Sequence, residues 1–359
     1  MLCVGWRANV QVDATVRYER LQEIGIGQGM NSKVYLATDA QFSGNIAVKE
    51  IPKVTFGNTV GDYYREAERM FAAAHPNVVP VHYAGEAGSL ICIAMPYFSR
   101  GSLAARITTG PLTPREVVRI AQGVLSGLAR VHNSSLLHFD IKPSNVLFDD
   151  HDNPLLADFG QSRHVGTSGV VAVPHMYSRA MPPETLLTGT GGVHSDIYQA
   201  GLLLYRMCNG DRHYQDQVTQ LSATTTERQI TKGRFPDRSS FQPHVSKRLR
   251  TIIRKALRIN PGERYASAID FADDLARLPI VLDWMMKTSP SGLVEWHAVR
   301  PGQSGLIVRR VPLGNGRLDV EVFTETSGIR RAKNRAGLWK NGLNEVECGM
   351  HLFDVFCGL

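Results

Sequence analysis

The sequence predicts an α+β fold of two lobes, a small strand-rich lobe over about residues 18–95 and a mostly helical lobe over about 99–285, followed by a small β-rich module at 290–359. Three observations predict it. From Tyr18 to about Ile51, short β-like runs are broken by glycine, the pattern of an antiparallel sheet. After Pro96 the apolar residues recur at helical spacing. Beyond about Thr288 the pattern changes again: Leu306-Ile307-Val308 and the alternating Leu318-Asp319-Val320-Glu321-Val322 flank Gly314-Asn315-Gly316, a hairpin turn signal.

The elements follow in order. A helix is expected from about Asp62 to Ala74, where His75-Pro76-Asn77 stops it. Further helices are expected at Thr113 to His132, Asp196 to Asn209, Lys247 to Ile259 and Ser267 to Leu278, the last ending before Pro279. Ser289-Pro290-Ser291-Gly292 reads as a linker to the terminal module. The chain has no internal repeat or low-complexity tract, and its final apolar run, Met350 to Phe356, is expected to pack against the module or the helical lobe.

At 359 residues, 43% hydrophobic and 20% charged, the composition is that of an ordinary globular chain and excludes disorder as the default. The formal charge of +7 suits phosphate-bearing or acidic partners, but bases and acids are interspersed, which disfavours nucleic-acid binding. Five cysteines (Cys3, Cys92, Cys208, Cys348, Cys357), odd in number and without a C-x-x-C, argue against a disulfide framework or a zinc site. A reducing cytoplasm is the expected location. No basic region precedes an apolar core at the start, and no stretch approaches about eighteen apolar residues, so a soluble chain with no membrane contact is expected.

The most informative residues are His138-Phe139-Asp140-Ile141-Lys142-Pro143-Ser144-Asn145 and Asp158-Phe159-Gly160. Together they supply one base for a hydroxyl nucleophile and two ligand sets for magnesium, which makes phosphoryl transfer the leading expectation. Asp140 is the expected base, Asn145 and Asp158 the metal ligands, and Lys142 the cation that neutralises charge developing on the transferred group. Upstream, Gly27-Gln28-Gly29-Met30-Asn31-Ser32-Lys33-Val34 reads as a phosphate cover in which small residues let backbone amides approach a nucleotide and Val34 lies over its base. Ser32 stands where the usual third glycine would, and the same run alone also reads as a plain hairpin turn. Ile46-Ala47-Val48-Lys49 is an apolar strand ending in the lysine expected to contact the α- and β-phosphates. That lysine needs a carboxylate partner from the next helix; Glu66, one turn before the apolar Met70, is preferred over Glu68, which reads as a surface charge.

These motifs identify the chain as similar to a Ser/Thr protein kinase of the eukaryotic-like type, over roughly Tyr18 to Met285. Met181-Pro182-Pro183-Glu184 stands where that family has A-P-E, and Asp196-Ile197-Tyr198-Gln199-Ala200-Gly201 resembles its D-x-x-x-x-G helix start. The resemblance implies a bilobal protein kinase-like fold that uses ATP and Mg2+, with Mn2+ as the alternative ion. It implies a buried ion pair of Glu184 with Arg264, Met95 as gatekeeper, Pro96-Tyr97-Phe98 as the hinge meeting adenine, Ala47 and Leu147 sandwiching the ring, and, from Lys142-Pro143, protein Ser/Thr hydroxyls as acceptors. The chain also looks like stand-alone prokaryotic kinases.

Two departures matter. Phe139 replaces the arginine of the family's H-R-D, so activity without activation-loop phosphorylation is expected. The segment Val173 to Ala180 lacks G-T-x-x-Y, so no peptide preference carries over; Thr167, Ser168 and Ser178 are candidate autophosphorylation sites. In the terminal module, Arg309-Arg310, Arg330-Arg331 and Lys333 with Trp296 and Trp339 suggest a docking face, but Glu295, Asp319, Glu321, Glu345 and Glu347 nearly balance those charges and the tryptophans read as core. The competing functional readings are a pseudokinase scaffold, which loss of Lys49, Asp140 or Asp158 would have favoured, and a small-molecule phosphotransferase of related fold. Nothing in the sequence assigns an oligomeric state.

Overall fold

The computed structural model describes residues 16–25, 32–41, 44–56, 64–173, 180–298, 304–326, 328–333 and 337–359. The chain divides into two compact units, Met1–Ala67 with Pro80–Tyr97, and Glu68–Val79 with Phe98–Leu359.

The smaller unit is an antiparallel sheet of β1 (Tyr18–Ile24), β2 (Lys33–Asp39), β3 (Gly44–Pro52), β4 (Tyr83–Ala87) and β5 (Leu90–Pro96), in the order β1-β2-β3-β5-β4. Period-2 alternation sorts its faces. Ile46 and Val48 of β3 pack with Ala37, Cys92 and Ala94 on one side. Ile51 packs with Ile93 on the other, against Ala67 of helix α1 (Arg65–Ala72). Lys49 shares that second face, so the first turn of α1 lies beside its side chain. The helix is shorter than the sequence reading of 62–74, whose first two residues lie outside the described ones.

In the larger unit, α2 (Leu103–Thr108) and α3 (Pro114–Asn133) are followed by short strands β6 (Leu136–Leu137), β7 (Val146–Phe148), β8 (Pro154–Leu156), β9 (Arg163–His164) and β10 (Val171–Ala172). Then come α4 (Pro183–Thr188), β11 (Thr190–Gly191), α5 (Val193–Asn209), α6 (Asp211–Thr219), α7 (Ala223–Thr231), α8 (Lys247–Ala256) and α9 (Ala268–Ala276). Thr113 and Glu116 form a capping box and Pro114 opens α3, which fixes where it starts. α5 is buried from Ser195 to Asn209 apart from Arg206 and forms the axis of this unit. α8 ends at Ala256, three residues before the expected Ile259.

The same unit contains the terminal module: β12 (Met285–Thr288), β13 (Val294–Ala298), β14 (Gly305–Pro312), β15 (Leu318–Thr326), β16 (Ile329–Ala332), β17 (Lys340–Leu343) and α10 (Glu345–Gly358). Strands β12 to β16 form an antiparallel meander, and β17 pairs with β15. Gly316 at φ 75° turns the hairpin between β14 and β15. One expectation needs correction. Ser289-Pro290-Ser291-Gly292 is the turn of the β12–β13 hairpin rather than a linker, with the Ser289 amide donating to Leu293 O at 2.9 Å, so the module's sheet begins at Met285 and not after residue 290. The module is β-rich as expected, and it also carries α10, which, opened by an Asn344–Glu347 capping box, buries Cys348, Leu352 and Val355 against Trp296, Val308, Val320 and Val322.

Candidate active site

In the smaller unit, Lys49 Nζ donates to Glu66 Oε1 at 2.7 Å, with both residues 8% exposed. Glu68, two residues on, points to solvent. Ala47 and Met95 are register partners across β3 and β5, and Val34 is the partner of Lys49 across β2 and β3. Ser32 and Tyr97 are half-buried, while Gly27 and Gly29 lie outside the described residues.

The larger unit carries the second group. His138 to Asn145 lie between β6 and β7, and Asp158 follows β8 by two residues. The β7–β8 hairpin pairs Val146 with Leu156, and the Ala157 amide donates to Asn145 O at 2.9 Å. Asn145 and Asp158 are therefore set side by side at the open end of one hairpin, and Leu147 sits on its β7 strand. Asn145 Nδ2 donates to both the carbonyl and Oδ2 of Asp140, each at 2.9 Å, and Lys142 Nζ donates to the same Oδ2 at 2.8 Å. One carboxylate oxygen of Asp140 is thus held by two donors, and Oδ1 accepts no hydrogen bond among the described residues. The nitrogen of Asn145 is committed to Asp140, which turns its amide oxygen the other way.

Two backbone strains mark this loop pair. Phe139 sits at φ 62° and Asp158 at φ 65°, left-handed conformations that cost a non-glycine residue about 1–3 kcal/mol and persist where surrounding contacts impose them. Those contacts are present. Asp196, fully buried at the start of α5, accepts from the His138 amide at 2.9 Å, the Phe139 amide at 2.8 Å and His132 Nε2 at 2.8 Å. Phe159 is fully buried edge-on to His138, ring centroids 4.9 Å apart, and the Gly160 amide reaches Asp158 Oδ1 at 3.3 Å. The His138 Nδ1 accepts from the Asp140 amide at 3.2 Å, and burial pushes the His138 pKa below its ordinary value.

The ion pair that ties down the segment after Asp158 is also present. Arg264, with its side chain fully buried, donates to both oxygens of Glu184 at 2.8 and 2.7 Å, and Ser195 Oγ adds a third bond at 2.8 Å. Thr167 and Ser168 are exposed, while Ser178 lies outside the described residues. Sequence reasoning missed His132 and Gln199: Gln199 bonds the backbone of residues 139 and 141 directly, whereas His132 bonds the Asp196 carboxylate that holds residues 138 and 139, and only Gln199, one turn after Asp196 on α5, left a positional signal.

As for a divalent ion, Asp158 and Asn145 offer a carboxylate and an amide oxygen with no nitrogen or sulfur ligand, a donor set suited to a hard cation such as Mg2+. Side by side at the end of one hairpin, these two oxygen-bearing residues fit such an ion.

The model of the protein kinase domain matches residues 18–275, and the chain belongs to that family. Its fold and loops are those of a protein kinase. Among similar proteins are the serine/threonine-protein kinase PrkC of Bacillus subtilis (30% identical over 269 residues, 72% of this chain and 40% of PrkC) and PknL of Mycobacterium tuberculosis (28% over 260 residues, 71% and 64%). A third is PknB of Mycolicibacterium smegmatis, 28% identical over 274 residues, 73% of this chain and 43% of that protein. The matched stretch thus covers less than two thirds of these relatives' own length. No helix among the described residues is long and apolar enough to cross a membrane.

Proposed function

We propose that the chain is a Ser/Thr protein kinase that transfers the γ-phosphate of Mg-ATP to hydroxyls of protein substrates. The observation that carries this reading is the Asp140 carboxylate, anchored through Oδ2 by Lys142 and Asn145 with Oδ1 left to accept a proton. The names of the relatives, all serine/threonine-protein kinases, support the acceptor class. When bound, the magnesium nucleotide supplies the phosphoryl group and neutralises its oxygens.

The chain's own residues do the rest. Asp140 orients a Ser or Thr hydroxyl and takes its proton, and Lys142 places a cation beside the charge that develops. Lys49, kept in one rotamer by Glu66, is assigned to the α- and β-phosphates, and Asn145 and Asp158 to the metal. Gly27, Gly29, Ser32, Val34, Ala47, Met95, Tyr97 and Leu147 are assigned to nucleotide binding. The four described cysteines are free, which fits a cytoplasmic location.

We further propose that activation-loop phosphorylation is dispensable. In support, Phe139 is fully buried at the β10–β11 ladder, where a Cβ on Gly191 would lie 2.7 Å from its ring. An apolar residue there leaves no arginine next to Asp140 for an activation-loop phosphate to pair with. The test is transfer of labelled γ-phosphate to the chain and to a basic protein, beside Asp140→Asn and Asp158→Ala. Label in the wild type alone, unchanged in rate after phosphatase treatment, is expected; no label in the wild type overturns the reading.

A further inference from the structure

We propose that Gln199 is a positioning residue for the transfer reaction, holding the peptide groups on both sides of Asp140; this rests on the kinase reading above. Its Oε1 accepts from the Ile141 amide at 3.0 Å, and its Nε2 donates to the Phe139 carbonyl at 2.9 Å. One planar side-chain amide therefore bridges residue 139 to residue 141, and Asp140 is the residue spanned. The orientation of the amide is fixed by its partners, since one end meets a donor and the other an acceptor.

The surroundings make this bridge more than space filling. Gln199 is 2% exposed on α5, between the apolar Tyr198 and Ala200, and a buried primary amide costs free energy unless both its ends are bonded. A methionine of similar length would fill the position without that requirement. Gln199 lies three residues after Asp196, so the two share a helix face. Between them they take the amides of His138, Phe139 and Ile141 and the carbonyl of Phe139, while His138 Nδ1 takes the remaining amide of Asp140. Phe139 is the residue at φ 62°, and Gln199 fixes the direction of its carbonyl. Without the bridge, the 139–140 peptide can turn towards a relaxed conformation, and the Asp140 carboxylate turns with it.

Ground-state nucleotide binding does not pass through this bridge, whereas placement of the base does. In the full chain, Gln199→Met is expected to remain folded and to lower kcat about tenfold to a hundredfold, with KM for ATP within about twofold of wild type. Amide hydrogen exchange at Ile141 should quicken. Gln199→Glu keeps the acceptor and, when protonated, the donor, so its kcat should lie between the two and rise as pH falls relative to wild type at the same pH. A folded Gln199→Met chain with wild-type kcat, or with unchanged exchange at Ile141, overturns the proposal. If Gln199→Met fails to fold, the same criteria apply to Gln199→Glu at a pH where its carboxyl is ionised. If the wild type itself transfers no phosphate, the kinase reading fails separately, and unchanged exchange at Ile141 in the variant still overturns the positioning role.

Discussion

Lys49 and Arg264 each illustrate how a single buried cation is made tolerable. Each has a carboxylate within 2.8 Å, so its charge is met by an opposite one at hydrogen-bond distance. Arg264→Met is expected to lower stability by about 3–5 kcal/mol, because Glu184 would keep only its Ser195 bond; chemical denaturation measures it. For the proposed chemistry, Glu66→Gln should lower kcat/KM about tenfold or more while Glu68→Gln leaves it unchanged, a contrast that steady-state kinetics can read. The choice of Glu66 over Glu68 was legible because Met70, one turn on, marks the inward face of α1; Met70 is 2% exposed. His132 was not legible in the same way. Its partner Asp196 lies 64 residues away, and a histidine on an apolar helix carries no mark of a long-range hydrogen bond.

Among the elements, α3 shows how helix packing aims a strand. Gly123 and Gly127 share one face of α3, and a Cβ on Gly127 would lie 2.5 Å from the Asn77 carbonyl oxygen. That close approach brings residues 77–79 alongside β8, with the Leu156 amide donating to Asn77 O at 2.9 Å and the Val79 amide to Leu156 O at 3.0 Å. Asn77 Nδ2 also donates to Pro154 O at 2.8 Å, so β8 is fixed at both ends before it delivers Asp158. Gly127→Ala should therefore cost about 1–3 kcal/mol by overpacking. By contrast, Gly349→Ala in α10, with open space around the new methyl, should stabilise by up to about 1 kcal/mol; thermal melts of the two variants should shift in opposite directions. The long helices were readable because their apolar spacing runs for several turns. α6 and α7 were not, since Asp211–Thr219 buries only Tyr214 and Val218, and Ala223–Thr231 only Thr226 and Ile230. α10 carries helical spacing at Cys348, Leu352 and Val355, but the run of strand signals before it masks that spacing.

For the molecule as a whole, the strand-rich start, helical middle and β-rich end were all legible in the periodicity. The junction was not, because a Pro-Gly-Ser run serves a hairpin turn as readily as a linker. What the sequence did not carry is how the module is fastened to its own unit. Trp296 Nε1 donates to His244 Nδ1 at 3.0 Å, and Phe356 of α10 lies edge-on to His244 at 6.2 Å. The Arg250 guanidinium lies 4.7 Å from the Phe353 ring centre. His244 must be neutral to accept that bond, and burial pushes its pKa down to about 3. The unfolded histidine, near pH 6.5, takes up a proton that the folded one refuses, so acid favours unfolding. This group should lower stability progressively as the pH falls below about 6.5, and His244→Gln should flatten that part of a stability-versus-pH curve.

The arginines that suggest a docking face are largely spent on neighbours: Arg309 on Glu295 and Glu321, Arg310 on Glu345, and Arg330 on Glu295 and Glu325. The module's tryptophans have a different use. Of the four in the chain, Trp284, Trp296 and Trp339 all belong to the module, and Trp6 is the fourth. Indole fluorescence is therefore chiefly a reporter of the terminal module, while residues 18–275 contain no tryptophan at all. A shift of the emission maximum to longer wavelength on acidification would register the release of Trp296 from His244 without any label being attached.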